Sequence, residues 1–278
     1  LLKVGARGSN LSRVYTEKVC KLLPMNAEIV VIKTIGDIHE NTPIHEMGGK
    51  GVFCSTIESQ LLNGNIDIAV HSLKDMPGEE TEGLIVNAVL ERNSPYDVIV
   101  GNIFKNAKIG TSSPRRKAQI INQFPDVNVC DIRGNVDTRL SKLNSGEYDA
   151  IVLAQAGLDC LNIKVKYDVL PSLPAIGQGI IAVQTRINDE RTNSIIAEIN
   201  HKPTYIHAMV ERDLLKGVGG DCHTMVAGYA TGNENITLKA EYYFEDYTCN
   251  KYSSTVPINL IKDLGYNTAQ KIRLTSKQ

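Results

Sequence analysis

The sequence contains no tryptophan and only four phenylalanines in 278 residues, so any core must be packed with aliphatic side chains. Its six cysteines, Cys20, Cys54, Cys130, Cys160, Cys222 and Cys249, include no Cys-x-x-Cys pair and no Cys/His spacing that suits zinc, so no metal site is expected. Their wide, irregular spacing fits reduced thiols in a cytoplasmic protein better than a disulfide framework. A surplus of charge is missing too. With 30 Lys and Arg against 31 Asp and Glu, the formal charge is -1, and neither nucleic acid nor a membrane surface is expected as a partner. Any basic site must be local. No run approaches the roughly 18 apolar residues of a membrane span. Leu1-Leu2-Lys3-Val4-Gly5 does not read as an export or anchoring signal, and the lack of an initiator Met leaves the true N-terminus open.

What is present describes a folded chain of more than one domain. The length exceeds what one core usually serves, and 42% hydrophobic with 22% charged residues is ordinary for a globular protein. Short Val- and Ile-rich runs alternate with amphipathic stretches, the pattern of βαβ units around a buried, largely parallel sheet. Leu2 to Ala6, Glu28 to Lys33 and Ile66 to Val70 read as strands. Ser9 or Asn10 caps a helix with Leu11, Val14, Lys18 and Leu22 on one side, and Ser55-Thr56-Ile57-Glu58 reads as a capping box. The series resumes near Asp97, after Glu91-Arg92-Asn93-Ser94-Pro95, which suits a crossing between lobes. Strands are then expected at Ile109, Val127 to Ile132 and Ala150 to Ala154, with helices to Gln123 and over Val136 to Leu143. Pro171, Pro174 and Gly177-Gln178-Gly179 mark a return crossing, and Ile180 to Val183 rejoins the first lobe. A helix from Thr204 to about Lys216 and three later runs suggest a small antiparallel sheet backed by helices. The expected division is residues 1–93 with 178–199 as a first α/β lobe, 94–177 as a second, and 200–278 as a C-terminal α+β domain. A monomer suffices for everything the sequence shows.

Several motifs carry chemistry. Ala6-Arg7-Gly8-Ser9 sits where a strand meets a helix, the place where open α/β sheets bind ligands, although a solvated arginine is the commoner explanation of such a tetrapeptide. Met47-Gly48-Gly49-Lys50-Gly51 lacks the spacing and the hydroxyl of a Walker loop. His71-Ser72-Leu73-Lys74-Asp75 follows a buried strand, so Ser72, Lys74 and Asp75 emerge at its carboxyl end, with His71 read as a hydrogen-bonded core residue. A carboxylate beside a lysine in a cleft can exchange protons and stabilise a cation. Gly110-Thr111-Ser112-Ser113-Pro114-Arg115-Arg116 places hydroxyls, a proline and two arginines at a helix N-terminus, and Arg133-Gly134-Asn135-Val136-Asp137-Thr138-Arg139 does likewise one turn later. Arginine forks there suit bidentate capture of carboxylates. Cys222 lies in the glycine-rich loop Gly217-Val218-Gly219-Gly220-Asp221-Cys222-His223, a poor setting for a core cysteine. On these residues alone it serves as well for a nucleophile as for an anchor.

In combination, Gly-Gly-Lys50-Gly, His71-Ser72-Leu-Lys74-Asp75-Met-Pro, Gly-Thr-Ser-Ser-Pro-Arg115-Arg116, Arg133-Gly-Asn-Val-Asp-Thr-Arg139-Leu and Leu-Pro-Ala-Ile-Gly-Gln178-Gly resemble the porphobilinogen deaminase (hydroxymethylbilane synthase) family, in the right order from about Val4 to Ala230. The resemblance implies a transferase of tetrapyrrole and haem biosynthesis. It would join four porphobilinogen molecules head to tail with loss of ammonia, then release the linear tetrapyrrole by hydrolysis. It implies a covalent dipyrromethane primer held as a thioether on Cys222, with Asp75 as the catalytic carboxylate that stabilises a cationic azafulvene and shuttles the proton. Ser72, Lys74, Ser113, Arg115, Arg116, Arg133 and Arg139 would bind the cofactor, and Arg7, Ser9, Gln178, Arg133 and Arg139 the substrate. Lys50 and Phe53 would belong to an active-site loop. The fold implied is α/β, two hinged periplasmic-binding-protein-like lobes with mixed, largely parallel sheets plus a small α+β third domain. A non-catalytic anion- or solute-binding module of the same bilobal fold is the alternative. The chain departs from the family's usual pattern at Ile35, at Glu46 and at Asp221, whose charge beside Cys222 opposes thiolate formation.

Overall fold

A computed structural model describes residues 1–34, 54–220 and 224–274, and Lys50, Phe53 and Cys222 lie outside them. The first lobe opens with β1 (Leu2–Arg7), α1 (Asn10–Leu22) and β2 (Ala27–Ile32), then α2 (Ser55–Leu62), β3 (Ile68–Ser72) and β4 (Leu84–Val89). The second holds β5 (Asp97–Gly101), β6 (Lys108–Gly110), α3 (Pro114–Gln123), β7 (Asn128–Cys130), α4 (Val136–Asn144), β8 (Ala150–Ala154), α5 (Gln155–Cys160) and β9 (Asp168–Val169). After it come β10 (Ile181–Arg186), α6 (Glu190–Ala197), α7 (Lys202–Gly217), β11 (Val226–Thr231), β12 (Asn235–Tyr243), β13 (Cys249–Pro257) and α8 (Leu264–Leu274).

The strands form a five-stranded sheet β2-β1-β3-β10-β4, a second five-stranded sheet β7-β6-β8-β5-β9, and a three-stranded antiparallel sheet β11-β12-β13. Each five-stranded sheet is mixed. β1 pairs in parallel with β2 and β3, whereas β10 returns from the second lobe and inserts antiparallel between β3 and β4. In the second sheet β6 is parallel to β7 and β8, and β5 is antiparallel to β8 and β9. The central strands read as aliphatic runs because both faces are covered: Val4, Ile68, Ile109, Ile151 and Val183 have essentially no exposed surface.

The chain crosses between the lobes twice, and the crossings lie side by side. Asn93 N–H donates to Gly179 O at 2.8 Å, and the Asn93 side chain donates to the same oxygen at 3.2 Å. Gly179 has φ +82°, and a Cβ on it would lie 2.6 Å from Asn93 O, so only glycine lets the strands approach this closely.

Two local expectations change. Helix α1 is capped by Ser9, whose Oγ accepts from Ser12 N–H at 3.3 Å, but its buried stripe is Tyr15, Thr16 and Val19, and Leu22 is 54% exposed. The sheet beneath selects the Leu11, Tyr15, Val19 row, which packs on Val4, Ile68 and Val70. Ser55 does not cap α2. Its expected box partner Glu58 is buried instead and accepts from Thr81 Oγ1 at 2.9 Å and Gln184 Nε2 at 2.8 Å, partners no local rule supplies. His71 completes this chain, its Nε2 lying 3.1 Å from Gln184 Oε1 inside the core.

The three-stranded sheet packs against α7 and α8 through Val210, Leu214, Val226, Leu238 and Ile272, with Ile176 of the return crossing in the same cluster. Glu211 on α7 is fully buried and ties this unit to both crossings. It accepts from Arg92 Nη1 at 2.6 Å, Gly177 N–H at 2.8 Å and Ala230 N–H at 2.9 Å. The five described cysteines are free thiols. No helix among the described residues is long and apolar enough to cross a membrane.

Candidate functional site

Strand ends deliver the site. β1 and β3 run in parallel side by side, so Arg7 at the end of β1 and Ser72 at the end of β3 arrive at the same edge of the first sheet. The chain then winds into a single 3-10 turn, Leu73–Asp75. Its apolar member Leu73 is buried, which turns Lys74 and Asp75 away from the core. Ser9, two residues after Arg7, caps the helix that begins at Asn10.

The second lobe answers with two helix N-termini. Ser113 caps α3, accepting from Arg116 N–H at 3.4 Å with Pro114 in the first helical position. Asn135 caps α4, accepting from Thr138 N–H at 3.1 Å. The turns are tied together by Ser112, whose Oγ donates to Ile132 O at 2.7 Å and accepts from Ile132 N–H at 3.1 Å. Gly134 has φ +109°, and a Cβ there would press on Thr138 at 2.6 Å, so this glycine sets the shape of the turn between Arg133 and Arg139. Arg139 Nε donates to Gly134 O at 2.8 Å, which points the guanidinium back across the turn.

The structure redirects Arg115 and Arg116. Expected as an open cradle for anions, they are 4% and 8% exposed and anchored inside the lobe. Arg115 donates to Asp97 Oδ2 at 2.8 Å, Gln119 Oε1 at 2.7 Å and Leu173 O at 3.1 Å. Arg116 donates to Asp97 Oδ1 through Nη2 at 2.7 Å and Nε at 3.1 Å, and to Val152 O at 3.1 Å. The reason is that Asp97, 1% exposed, opens a central strand and a buried carboxylate needs partners. Burial alone would raise its pKa, and the two guanidiniums overcome this and hold it well below the usual carboxylate range.

Gln178 is likewise internal, with no exposed surface. Its Nε2 donates to Pro95 O at 2.7 Å and Asp97 Oδ1 at 2.9 Å, and its Oε1 accepts from Lys74 Nζ at 3.2 Å. It therefore joins a residue of each lobe at the crossing. Asp97 is the hub that the sequence reading passes over. The signal was a lone acid opening the aliphatic run Val98-Ile99-Val100.

Electrostatics bring the lobes together around Asp75. Lys74 is half-buried by surface, yet desolvation of its ammonium, followed by repulsion from Arg116, lowers its pKa from 10.5 to about 8. Arg139 is lowered to about 10 by desolvation, then by Arg116 and Arg133, while Asp75 opposes the shift. The charge of Asp75 in the first lobe is thus felt by Arg139 in the second. The Tyr15 phenol, hydrogen-bonded to the Ser72 side chain, also feels Asp75, and its burial pushes its pKa up. Arg133 is lowered by desolvation, and its buried Nε has no hydrogen-bond partner among the described residues.

Lys74, Arg115, Arg116, Arg133 and Arg139 therefore share a field in which Asp75, Asp97 and Asp131 are the carboxylates acting on them among the described residues, a surplus of positive charge that a polycarboxylate would neutralise. A cavity of about 290 Å³ lies elsewhere, lined by Glu58, Glu79, Glu80, Thr81, Lys216 and Gly220 among others. Its acidic walls do not suit an anionic ligand, and the chemistry belongs with the cations.

Residues 2–194 match the family model described as porphobilinogen deaminase, dipyromethane cofactor binding domain. The chain is 42% identical over 253 residues to the porphobilinogen deaminase of Ehrlichia chaffeensis, covering 85% of each. It is 40% identical over 278 residues to that of Rickettsia prowazekii, covering 94% of this chain and 93% of the relative. Among solved structures, the probable amino-acid ABC transporter extracellular-binding protein of Bacillus subtilis is similar at a TM-score of 0.45 and 12% identity, over 77% of this chain and 96% of that one.

Proposed function

This chain belongs to the porphobilinogen deaminase family, and from that premise we propose that it joins four porphobilinogen molecules head to tail, with loss of one ammonia at each addition, and releases the linear tetrapyrrole by hydrolysis. The observation that carries the residue assignments is the place of Lys74, beside Asp75 in the turn after β3, with its Nζ on Gln178 Oε1 at 3.2 Å and within the field of Arg115 and Arg116 from the second lobe. The dipyrromethane cofactor of the family bears carboxylate side chains, and the site fits it: a surplus of cations surrounds the cleft and a buried Arg133 nitrogen awaits an acceptor. When bound, this group supplies the free pyrrole carbon from which elongation starts.

The chain's own residues do the rest. Arg133, Arg139 and Lys74 bind acetate and propionate groups, with Arg7, Ser9, Ser72 and Ser113 placed at the strand ends and helix caps around them. Arg115, Arg116 and Gln178 act as framework, adding positive potential and fixing the geometry. In each addition the carbon–nitrogen bond of the aminomethyl group breaks and ammonia departs. A carbon–carbon bond forms, and a proton leaves the attacked pyrrole carbon. The Asp75 carboxylate stabilises the cationic pyrrole between these events and accepts the proton. Cys222 is the assigned anchor of the cofactor, and Lys50 and Phe53 the assigned loop residues. The proposed setting is a cytoplasmic monomer without nucleic-acid or membrane partners, supported by free thiols and near-balanced charge.

Intact-mass measurement of the purified protein tests the anchor. An adduct of two pyrrole units is expected on the wild type and absent from Cys222→Ala. An active wild type of unmodified mass would remove Cys222 from the reading, and reversible ligand binding without turnover would turn it toward a binding module.

A further inference from the structure

Asp97 is itself buried, yet it organises the framework that holds Lys74. Its two oxygens accept from Arg115, from Arg116 twice and from Gln178. The Gln178 amide is held in one orientation. Its nitrogen faces a carbonyl at 2.7 Å and a carboxylate at 2.9 Å, so a flipped amide would set oxygen against two acceptors and nitrogen against an ammonium. The oxygen is thereby presented to Lys74 Nζ at 3.2 Å, across the junction of the lobes. We propose that Asp97 is a positioning residue that, through the side-chain amide of Gln178, fixes Lys74 in the pose in which it meets the carboxylates of the substrate. This rests on the reading of Lys74 as a carboxylate ligand.

The charges around Lys74 reinforce the geometry. Arg115 and Arg116 bear on its ammonium from α3, Asp75 from its own turn, and Asp97 from β5. Without the Asp97 charge, Lys74 would face two guanidiniums with Asp75 as its remaining counter-charge. It would lose its proton at lower pH, and a neutral amine binds carboxylate poorly. Asp97 thus serves both lobes, holding the arginines of one and orienting the lysine of the other.

The test compares Asp97→Asn, Lys74→Met and the double variant for porphobilinogen KM and kcat across pH, alongside trace acetylation of Lys74 in the resting protein, followed by peptide mass. Asp97→Asn is expected to raise KM at least about fivefold at pH 8 and to move the Lys74 acetylation midpoint down by about one pH unit. It should add little to the KM of Lys74→Met, since both changes act on one group. An equal KM increase in both backgrounds, or an unmoved midpoint, overturns the proposal. Should Asp97→Asn fail to fold, Gln178→Met keeps the bonds of Asp97 to its arginines and breaks the relay, together with the bond to Pro95 O. It must lower the same midpoint, and unchanged Lys74 reactivity overturns the inference. A normal KM in Lys74→Met defeats the reading of the site and the proposal with it, even if the acetylation shift is observed.

Discussion

Replacing Glu211 with alanine should loosen the hold of the third domain on the two lobes, and the structure sets the size of the effect. The carboxylate has no exposed surface and accepts from Arg92 Nη1 and Nη2, from Gly177 N–H in the return crossing and from Ala230 N–H in β11. Removing one member of a buried ion pair costs about 3–5 kcal/mol, because the partner is left charged and unpaired. Two backbone N–H groups also lose their acceptor, at about 1–3 kcal/mol each, although such losses do not simply add. Arg92 keeps Gln178 O at 2.9 Å and the Tyr229 ring at 4.8 Å, which offsets part of the loss. A net destabilisation of about 4 kcal/mol follows, and at about 2–4 °C per kcal/mol for chains approaching this size, a fall in Tm of about 10 °C. Calorimetry suits the measurement, since the sequence has no tryptophan to report unfolding. The loss should appear first as a separate low-temperature transition, because the bonds broken join domains and do not lie within one. Glu211→Gln keeps shape and one acceptor oxygen and should fall between the two. A Glu211→Ala protein that melts as one transition within about 3 °C of the wild type would refute the reasoning.

Asp75→Ala is expected to keep its pyrrole adduct while ammonia release falls by at least about a hundredfold, the scale of a lost proton-transfer group. Near-normal ammonia release would remove Asp75 from the mechanism. The lowered pKa of Lys74, about 8, predicts opposite pH trends for binding and stability. Between about pH 8 and 10.5 the unfolded chain keeps a proton that the folded lysine has lost, so this group's contribution to stability increases with pH there. Over the same window KM for porphobilinogen should rise, and a KM that is flat through pH 9 would show that Lys74 does not bind carboxylate.

Much of the architecture could be read along the chain, because buried central strands leave runs such as Ala150 to Ala154 that little else explains. Caps were legible for the same local reason: Ser113 followed by Pro114 announces a helix start, and the structure finds Ser113 Oγ on Arg116 N–H. Strand Leu84–Val89 was not foreseen. Asn87 interrupts its apolar run, and the partner that accounts for it, Asn193 O at 2.9 Å, is more than a hundred residues away. Glu58 misled in the same manner, since its three-residue spacing from Ser55 suggests a cap while Thr81 and Gln184 hold its carboxylate.

The sequence by itself determined the family and much of the order of the elements, because these depend on short motifs and on periodicities of a few residues. It could not show which cations face a ligand and which face inward. Arg115 and Arg116 look like a cradle in a one-dimensional motif, and Asp97, eighteen residues earlier than the first of them, turns both toward itself. Gln178 reads as a ligand of substrate until its amide is found locked between Pro95, Asp97 and Lys74. Those assignments needed the tertiary structure, since a buried charge chooses its partners by proximity in space, and desolvation, which no local pattern records, decides what each side chain remains free to bind.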